Sequence, residues 1–179
     1  MILNDLIKLF KLVKSELQIQ SFFRSEEVRL LINDLLDISR MEMDTLNREI
    51  ENIDLDVIIS QAVETQDLEI EKRNLTLEID IEPNLPLLRI DRGEGIKILN
   101  NLVSNAVKYN KENGKIDISA KQTGNYLNIS IADTGIGLRE NDKEKLFQQF
   151  FRAKNKHTRS ISGTGLGLSI VKRLVEANH

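Results

Sequence analysis

Three groups of residues have types and spacings that could do chemistry. The first lies within residues 98–110, where Ile98, Leu99, Leu102, Val103, Ala106 and Val107 recur at helical spacing and predict an amphipathic helix. Asn101, Asn105 and Lys108 fall at i, i+4 and i+7, so they share roughly one face. Asparagine is a mediocre helix former because its amide competes for backbone hydrogen bonds. An Asn pair one turn apart beside a lysine therefore reads either as a solvated face or as a face that meets something polar. The second group follows Leu127, Ile129 and Ile131, whose alternation predicts a strand closing at Asp133. Gly135 and Gly137 come next, a backbone that bends sharply and admits a ligand closely. A carboxylate at such a strand end can accept a hydrogen bond from an exocyclic amine. The third group is Gly163, Thr164, Gly165, Leu166 and Gly167, which opens the apolar helical run Leu168, Ile170, Val171, Leu174 and Val175. Helix N-terminal amides bared by glycines form an anion site. Either loop alone reads as an ordinary turn. An Asn/Lys face, a carboxylate loop and helix amides in one chain together fit a nucleotide.

These groups need a scaffold. A length of 179 residues allows one ordinary domain, or a domain with a helical appendage. The chain is 40% hydrophobic and 30% charged, a globular composition rich in solvated helix faces. A net charge of −3 gives no global attraction to nucleic acid or anionic membrane, so neither is expected as a partner. Without cysteine there is no disulfide, thiolate metal site or cysteine nucleophile, which suits a reducing compartment. No apolar run is long enough to span a bilayer, and no signal peptide or internal repeat is visible. The expected location is cytoplasmic, for the chain itself or as the soluble part of a larger or membrane-anchored protein.

Leu3, Leu6, Ile7, Phe10, Val13 and Leu17 predict an amphipathic helix over residues 2–20. A short break follows at 21–24. A second helix starts at Ser25 with acidic residues in its first turn and runs through Leu31, Ile32, Leu35, Leu36, Ile38 and Met41 to about residue 44. Residues 1–47 thus read as a helical hairpin. Such a hairpin buries its stripes by pairing with a second copy into a four-helix bundle, or by packing on its own globular domain. Residues 48–179 read as one domain: a connector and short strand over 48–54, a helix over 55–72, and a half-buried strand over 75–81. A turn at 82–86 holds both prolines, and a short strand follows at 87–90. Gly93 and Gly95 each cost a helix about 1 kcal/mol, so the firm start of the Asn-bearing helix is expected near Ile96. Asn113 and Gly114 form a turn, and a strand from Ile116 pairs through 123–125 with 126–133 as a hairpin. The order of elements is α+β: a two-layer α/β sandwich, with helices on one face of a mixed sheet.

One resemblance unites the three groups. Asn101-x-x-x-Asn105-Ala-x-Lys108-Tyr109, then Asp133-x-Gly135-x-Gly137, then Leu146-Phe147-x-x-Phe150-Phe151-Arg152, then Gly163-Thr164-Gly165-Leu166-Gly167 resemble the N, G1, F and G2 boxes of sensor histidine kinases, in family order. The resemblance covers roughly residues 25–179. It implies a Bergerat-type ATP-binding domain of the superfamily shared with type II topoisomerases, Hsp90 chaperones and MutL proteins. The F box and the Lys108-Tyr109 ending of the N box favour the kinase branch. By resemblance, the Asn105 carbonyl contacts Mg²⁺, Asn101 faces the phosphates or metal-bound water, and Lys108 neutralises phosphate charge. Tyr109 flanks the adenine, and Asp133 accepts its amine between Gly135 and Gly137. Gly163, Thr164, Gly165, Leu166 and Gly167 hold the phosphates. Arg152 reaches the γ-phosphate, with Asn101 and Lys108 as its catalytic companions. Phe147, Phe150 and Phe151 read as packing residues at the base of a lid. Lys154, Lys156, His157 and Arg159 make a basic run in that lid, solvated or touching the γ-phosphate.

The resemblance also implies a homodimer through the hairpin and a response-regulator receiver domain as partner. Residues 31–40 are similar to the end of the second helix of the kinase dimerisation domain. In the family the first helix carries a phospho-accepting histidine. Here the histidines are His157 and His179, neither within 1–47. The chain is therefore expected to begin downstream of its phosphorylation site, as a truncated piece or as a protein without self-phosphorylation. The family also continues past the last helix into two more strands, so either the sheet is shorter here or the chain is cut at that end too. The function implied is transfer of the ATP γ-phosphate to a histidine supplied in trans. Two alternatives stand beside it: a nucleotide-binding regulatory module without kinase activity, and an ATPase of the gyrase and Hsp90 type. The ATPase needs a catalytic glutamate four residues before the magnesium Asn. Asn101 holds that position, and Glu94 is the nearest candidate.

Overall fold

The structure is a computed structural model, and it describes residues 26–42, 48–153, 158, 161 and 163–178. They fall into two compact units, one holding residues 26–42 with 163–164 and the other the remainder. In the first unit, α1 spans Glu26–Glu42, inside the expected second hairpin helix. Ile38 is buried, while Leu30 and Leu36 are exposed. The expected first hairpin helix, residues 2–20, lies outside the described residues.

The second unit alternates strands and helices. It comprises β1 (Ile50–Ile53), α2 (Leu55–Glu64), α3 (Asp67–Lys72), β2 (Thr76–Ile81), β3 (Leu88–Asp91), α4 (Arg92–Lys108), β4 (Lys115–Thr123), β5 (Tyr126–Asp133), α5 (Glu140–Lys143) and α6 (Gly167–Ala177). The main sheet is mixed, in the order β2-β4-β5. β2 runs parallel to β4 with Ile79 opposite Ile118, and β5 runs antiparallel to it with Ile131 opposite Ile118. β1 and β3 form a separate antiparallel pair, Ile53 opposite Leu88. Alternation on β4 sends Ile116, Ile118 and Ala120 into the core. There they join Ile58, Ile59 and Ala62 of α2 and Leu99, Val103, Ala106 and Val107 of α4. Helices thus cover one face of the sheet, the architecture the element order predicts. Gly124, at φ +61, takes the first central position of the two-residue β4–β5 turn, a conformation that favours glycine.

Two boundaries differ from expectation. The helix expected over 55–72 breaks at Thr65 and Gln66. Thr65 Oγ1 donates to the Ala62 carbonyl at 2.7 Å, with Asn100 Oδ1 the alternative acceptor at 3.2 Å, so its hydroxyl competes with helix propagation. The Asn-bearing helix α4 starts at Arg92, four residues before Ile96. Asp91 caps it, with Oδ1 accepting from the Glu94 amide at 3.1 Å and Oδ2 from the Glu49 amide at 3.0 Å. Gly95 belongs inside the helix for a packing reason: a Cβ there would lie 2.9 Å from Ile58 Cδ1. The close approach of α2 and α4 offsets the propensity cost of the glycine.

Candidate nucleotide-binding site

Asn101, Asn105 and Lys108 lie half-buried along α4. Asn101 Nδ2 donates to the Lys97 carbonyl at 2.9 Å. Its Oδ1 meets the start of α6, where a Cβ added to Gly167 would lie 2.3 Å from it. α6 has no side-chain cap, and its first turn closes with Ile170 N donating to the Leu166 carbonyl at 3.0 Å. The amides of Gly167, Leu168 and Ser169 precede that bond in the first turn, where helix amides lack intrahelical partners. Leu166 is fully buried and anchors the loop, and Ser169 Oγ donates to its carbonyl at 2.7 Å. Gly165, at φ +74, runs close to the F segment: a Cβ there would lie 2.9 Å from the Phe150 carbonyl carbon. One end of the Asn face thus meets uncapped helix amides and a backbone only glycine fits. An anion suits that cradle.

The other end is also a backbone cradle. Tyr109 ends α4, and its carbonyl accepts from the Ile136 amide at 3.0 Å. A Cβ on Gly135 would lie 2.2 Å from that carbonyl oxygen, so no larger residue fits without opening the loop. Asp133 is exposed, and its Oδ1 accepts from the Gly135 amide at 2.8 Å, which shapes the turn. Gly137, at φ +63, has open space around it. From Asn101 to Tyr109, eight residues at 1.5 Å rise span about 12 Å, the scale of a nucleotide with its base at one end and its phosphates at the other.

Other expected residues lie differently. Arg152 is half-buried and its guanidinium donates to the Ile161 carbonyl. Phe147 and Phe150 do not pack as expected: they are 47% and 58% exposed, and Phe151 is half-buried. At Phe150, with φ +62, it is the backbone that abuts Gly165. Gly163 and Thr164 belong to the first compact unit, where Thr164 Oγ1 donates to Asp34 Oδ2 at 2.7 Å. Lys154, Lys156, His157 and Arg159 lie outside the described residues. No group of three His, Cys, Asp or Glu side chains suited to a metal occurs among the described residues. The oxygen of Asn105 is the expected donor on α4, and Mg²⁺ commonly needs few protein ligands when phosphates supply the rest.

Glu94 is not placed as a base. It is buried and held by Arg48, with Nε donating to Oε1 at 2.7 Å and Nη2 to Oε2 at 2.6 Å. Asn178 Nδ2 donates to Oε2 at 2.8 Å. The glutamate joins the start of α4 to the end of α6, two turns before Asn101, and its carboxylate is fully engaged there. Sequence reasoning missed this cluster, and it missed Arg73, Asn110 and Thr134 around the base end of α4. Asn110 carried a signal: it is a polar residue closing an apolar helical stretch.

Comparison with known proteins identifies the family. Residues 90–179 match the family described as histidine kinase-, DNA gyrase B- and HSP90-like ATPase. The chain belongs to this family, as a histidine kinase-type ATP-binding domain with a mixed α/β fold. It is 34% identical over 168 residues to the sensor protein kinase WalK of Staphylococcus aureus, covering 90% of this chain and 40% of WalK. It resembles the structure of full-length ShkA in complex with AMPPNP, with a TM-score of 0.71 and 27% identity over 82% of this chain and 30% of ShkA. Its fold also resembles that of histidine kinase ThkA in complex with response regulator protein TrrA, with a TM-score of 0.60 and 24% identity over 96% of this chain and 49% of ThkA. The chain spans 25% to 40% of the length of the curated relatives it matches. No helix among the described residues is long and apolar enough to cross a membrane.

Proposed function

We propose that this chain is the ATP-binding catalytic portion of a sensor histidine kinase, passing the ATP γ-phosphate to a histidine outside these 179 residues, for relay to an aspartate of a response-regulator receiver domain. The observation that carries this reading is the pair of glycine cradles at the two ends of one polar helix face: Gly167 against Asn101, and Gly135 against the Tyr109 carbonyl. The AMPPNP bound by ShkA supports an adenine nucleotide as the ligand. In this reading Asp133 accepts the adenine amine, and Gly135 and Gly137 admit the ring beside Tyr109. Asn101, Lys108 and the amides of Gly165 and Gly167 bind the phosphates, with Leu166 anchoring that loop. Asn105 offers its oxygen to Mg²⁺, which supplies charge neutralisation at the phosphates when bound. Arg152 leaves the Ile161 carbonyl to stabilise the γ-phosphoryl as it transfers. The transfer forms a phosphorus–nitrogen bond to the imidazole and breaks the γ-phosphorus–oxygen bond, releasing ADP. Dimerisation through residues 1–47 is part of the same proposal, with the exposed Leu30 and Leu36 of α1 as candidate contacts.

The histidines of these 179 residues, His157 and His179, both lie outside residues 1–47, so the test supplies the accepting histidine separately, and a regulatory module is the second reading. Incubation with MgATP and a supplied histidine-bearing dimerisation hairpin separates the two. The kinase reading expects acid-labile phosphate on the hairpin and none on this chain. Selective nucleotide binding with an unlabelled hairpin favours the regulatory module. Stoichiometric phosphohistidine on this chain alone contradicts transfer in trans. The gyrase-type reading lacks its base, because Glu94 is engaged by Arg48 and Asn178.

A further inference from the structure

The C-terminal turn of α4 is held by a residue that makes no contact with the cradles. A helix end leaves its last carbonyls without intrahelical donors. Here the Tyr109 amide donates to the Asn105 carbonyl and the Asn110 amide to that of Val107, and the side chain of Arg73, just past α3, reaches two of the last carbonyls and the one of Asn110 beyond them. Its Nη1 donates to the Val107 carbonyl and, at 3.3 Å, to that of Lys108. Its Nη2 donates to the Asn110 carbonyl at 2.6 Å. The carbonyl between them, that of Tyr109, takes the Ile136 amide at 3.0 Å. Four consecutive carbonyls, 107 to 110, thus take donors from one guanidinium and from the loop that follows Asp133, with the Asn110 amide adding a bond to the first. Arg73 is itself fixed: Nε donates to Glu112 Oε1 at 3.3 Å, and its carbonyl accepts from the Asn113 amide at 3.1 Å. A fork of several donors can serve three carbonyls at once, which a lysine ammonium cannot match in geometry. Its positive charge also suits a helix C-terminus.

Asn110 makes the second tie. It is buried, and its Nδ2 donates to the Lys115 carbonyl at 3.1 Å. Its Oδ1 accepts from Thr134 Oγ1 at 3.2 Å, and Thr134 directly follows Asp133. The base end of the cradle is therefore made of backbone atoms whose position depends on where α4 stops. The tolerance is small, because Gly135 has no room for even a Cβ against the Tyr109 carbonyl.

We propose that Arg73 is a positioning residue for base recognition: it locks the last turn of α4, so that Tyr109 and the loop of residues 133–137 present Asp133 in register with the base. This rests on the nucleotide reading above and deepens it. The test is calorimetric titration of the 179-residue chain with MgADP and with MgGDP, beside Arg73→Ala, Arg73→Gln and Arg48→Lys. Arg73→Ala raises Kd for MgADP about tenfold, equal to 1.4 kcal/mol, and the preference for adenine over guanine falls with it. Stoichiometry per folded chain stays constant, which separates lost positioning from lost folding. Should Arg73→Ala fail to fold, Arg73→Gln carries the test, since an amide keeps polarity but not the fork. Arg48→Lys, at the far end of α4, lowers the melting temperature and leaves Kd unchanged. Selective adenine binding by the parent, with parental Kd and selectivity in the folded Arg73 variants, overturns this inference alone. A parent without selective adenine binding overturns the nucleotide reading and this inference together.

Discussion

Replacing Gly167 by alanine separates stability from function at a single atom. The added Cβ would lie 2.3 Å from Asn101 Oδ1 and 3.3 Å from its Cγ. The Asn101 amide must turn away, and it then gives up the 2.9 Å hydrogen bond from Nδ2 to the Lys97 carbonyl. That bond is worth about 1 kcal/mol net. Against it, alanine is better than glycine in a helix by up to about 1 kcal/mol. The two terms nearly cancel, so the melting temperature should move by only a few degrees. Binding should not be spared. If Asn101 faces phosphate or metal-bound water, its charge-assisted contact is worth about 1.5–3 kcal/mol. Its loss weakens MgADP binding by roughly 10- to 150-fold. Calorimetric titration and a thermal melt on the same sample measure both quantities. Gly124→Ala is the control. Gly124 sits at φ +61 in the β4–β5 turn with open space around it, so alanine costs about 1–2 kcal/mol of stability and nothing in affinity. A Gly167→Ala chain with parental affinity refutes the placement of Asn101 in the phosphate end of the site.

Other outcomes follow from the same geometry. Asp133→Asn keeps an acceptor for the Gly135 amide but can no longer offer a full carboxylate, so MgADP binding weakens on the order of tenfold while MgGDP binding does not, as competition titrations would show. Glu94→Gln removes the charge from a pair whose side chains are 28% and 10% exposed, and thermal melts should report a loss of about 1–3 kcal/mol. Any nucleotide turnover should persist in Glu94→Gln, and its disappearance in a phosphate-release assay restores Glu94 as a catalytic base. Gly135→Ala must open the loop from the Tyr109 carbonyl and should cost about 1–3 kcal/mol of stability along with adenine affinity, measured by melt and titration together.

Much of the scaffold is legible because it rests on periodicity. Ile116, Ile118 and Ala120 alternate in the sequence and alternate in the core. Leu99, Val103, Ala106 and Val107 recur every three or four residues and form the buried stripe of α4. The glycine cradles are legible as motifs, since glycine marks where backbone must come close. What escapes the sequence is set by tertiary neighbours. The start of α4 moves to Arg92 because Asp91 caps it and because Gly95 lies against Ile58, the latter a contact with no local signature. Phe150 looks like a core residue by type, yet its backbone conformation, not its ring, meets Gly165. Arg73 follows Glu69, Glu71 and Lys72 in a charged run that reads as a solvated face. Only the folded chain brings its guanidinium to the end of α4.

The central claim is that one polar face of α4, closed by two glycine loops, binds an adenine nucleotide through a magnesium-linked phosphate end. Titration with MgADP and MgGDP, on this chain and on Asn105→Ala, tests it most directly. MgADP should bind, MgGDP should be discriminated against, and the affinity should fall about tenfold or more when the Asn105 oxygen is removed. Equal binding of both nucleotides, no binding by the parent chain, or an unchanged affinity in Asn105→Ala contradicts it.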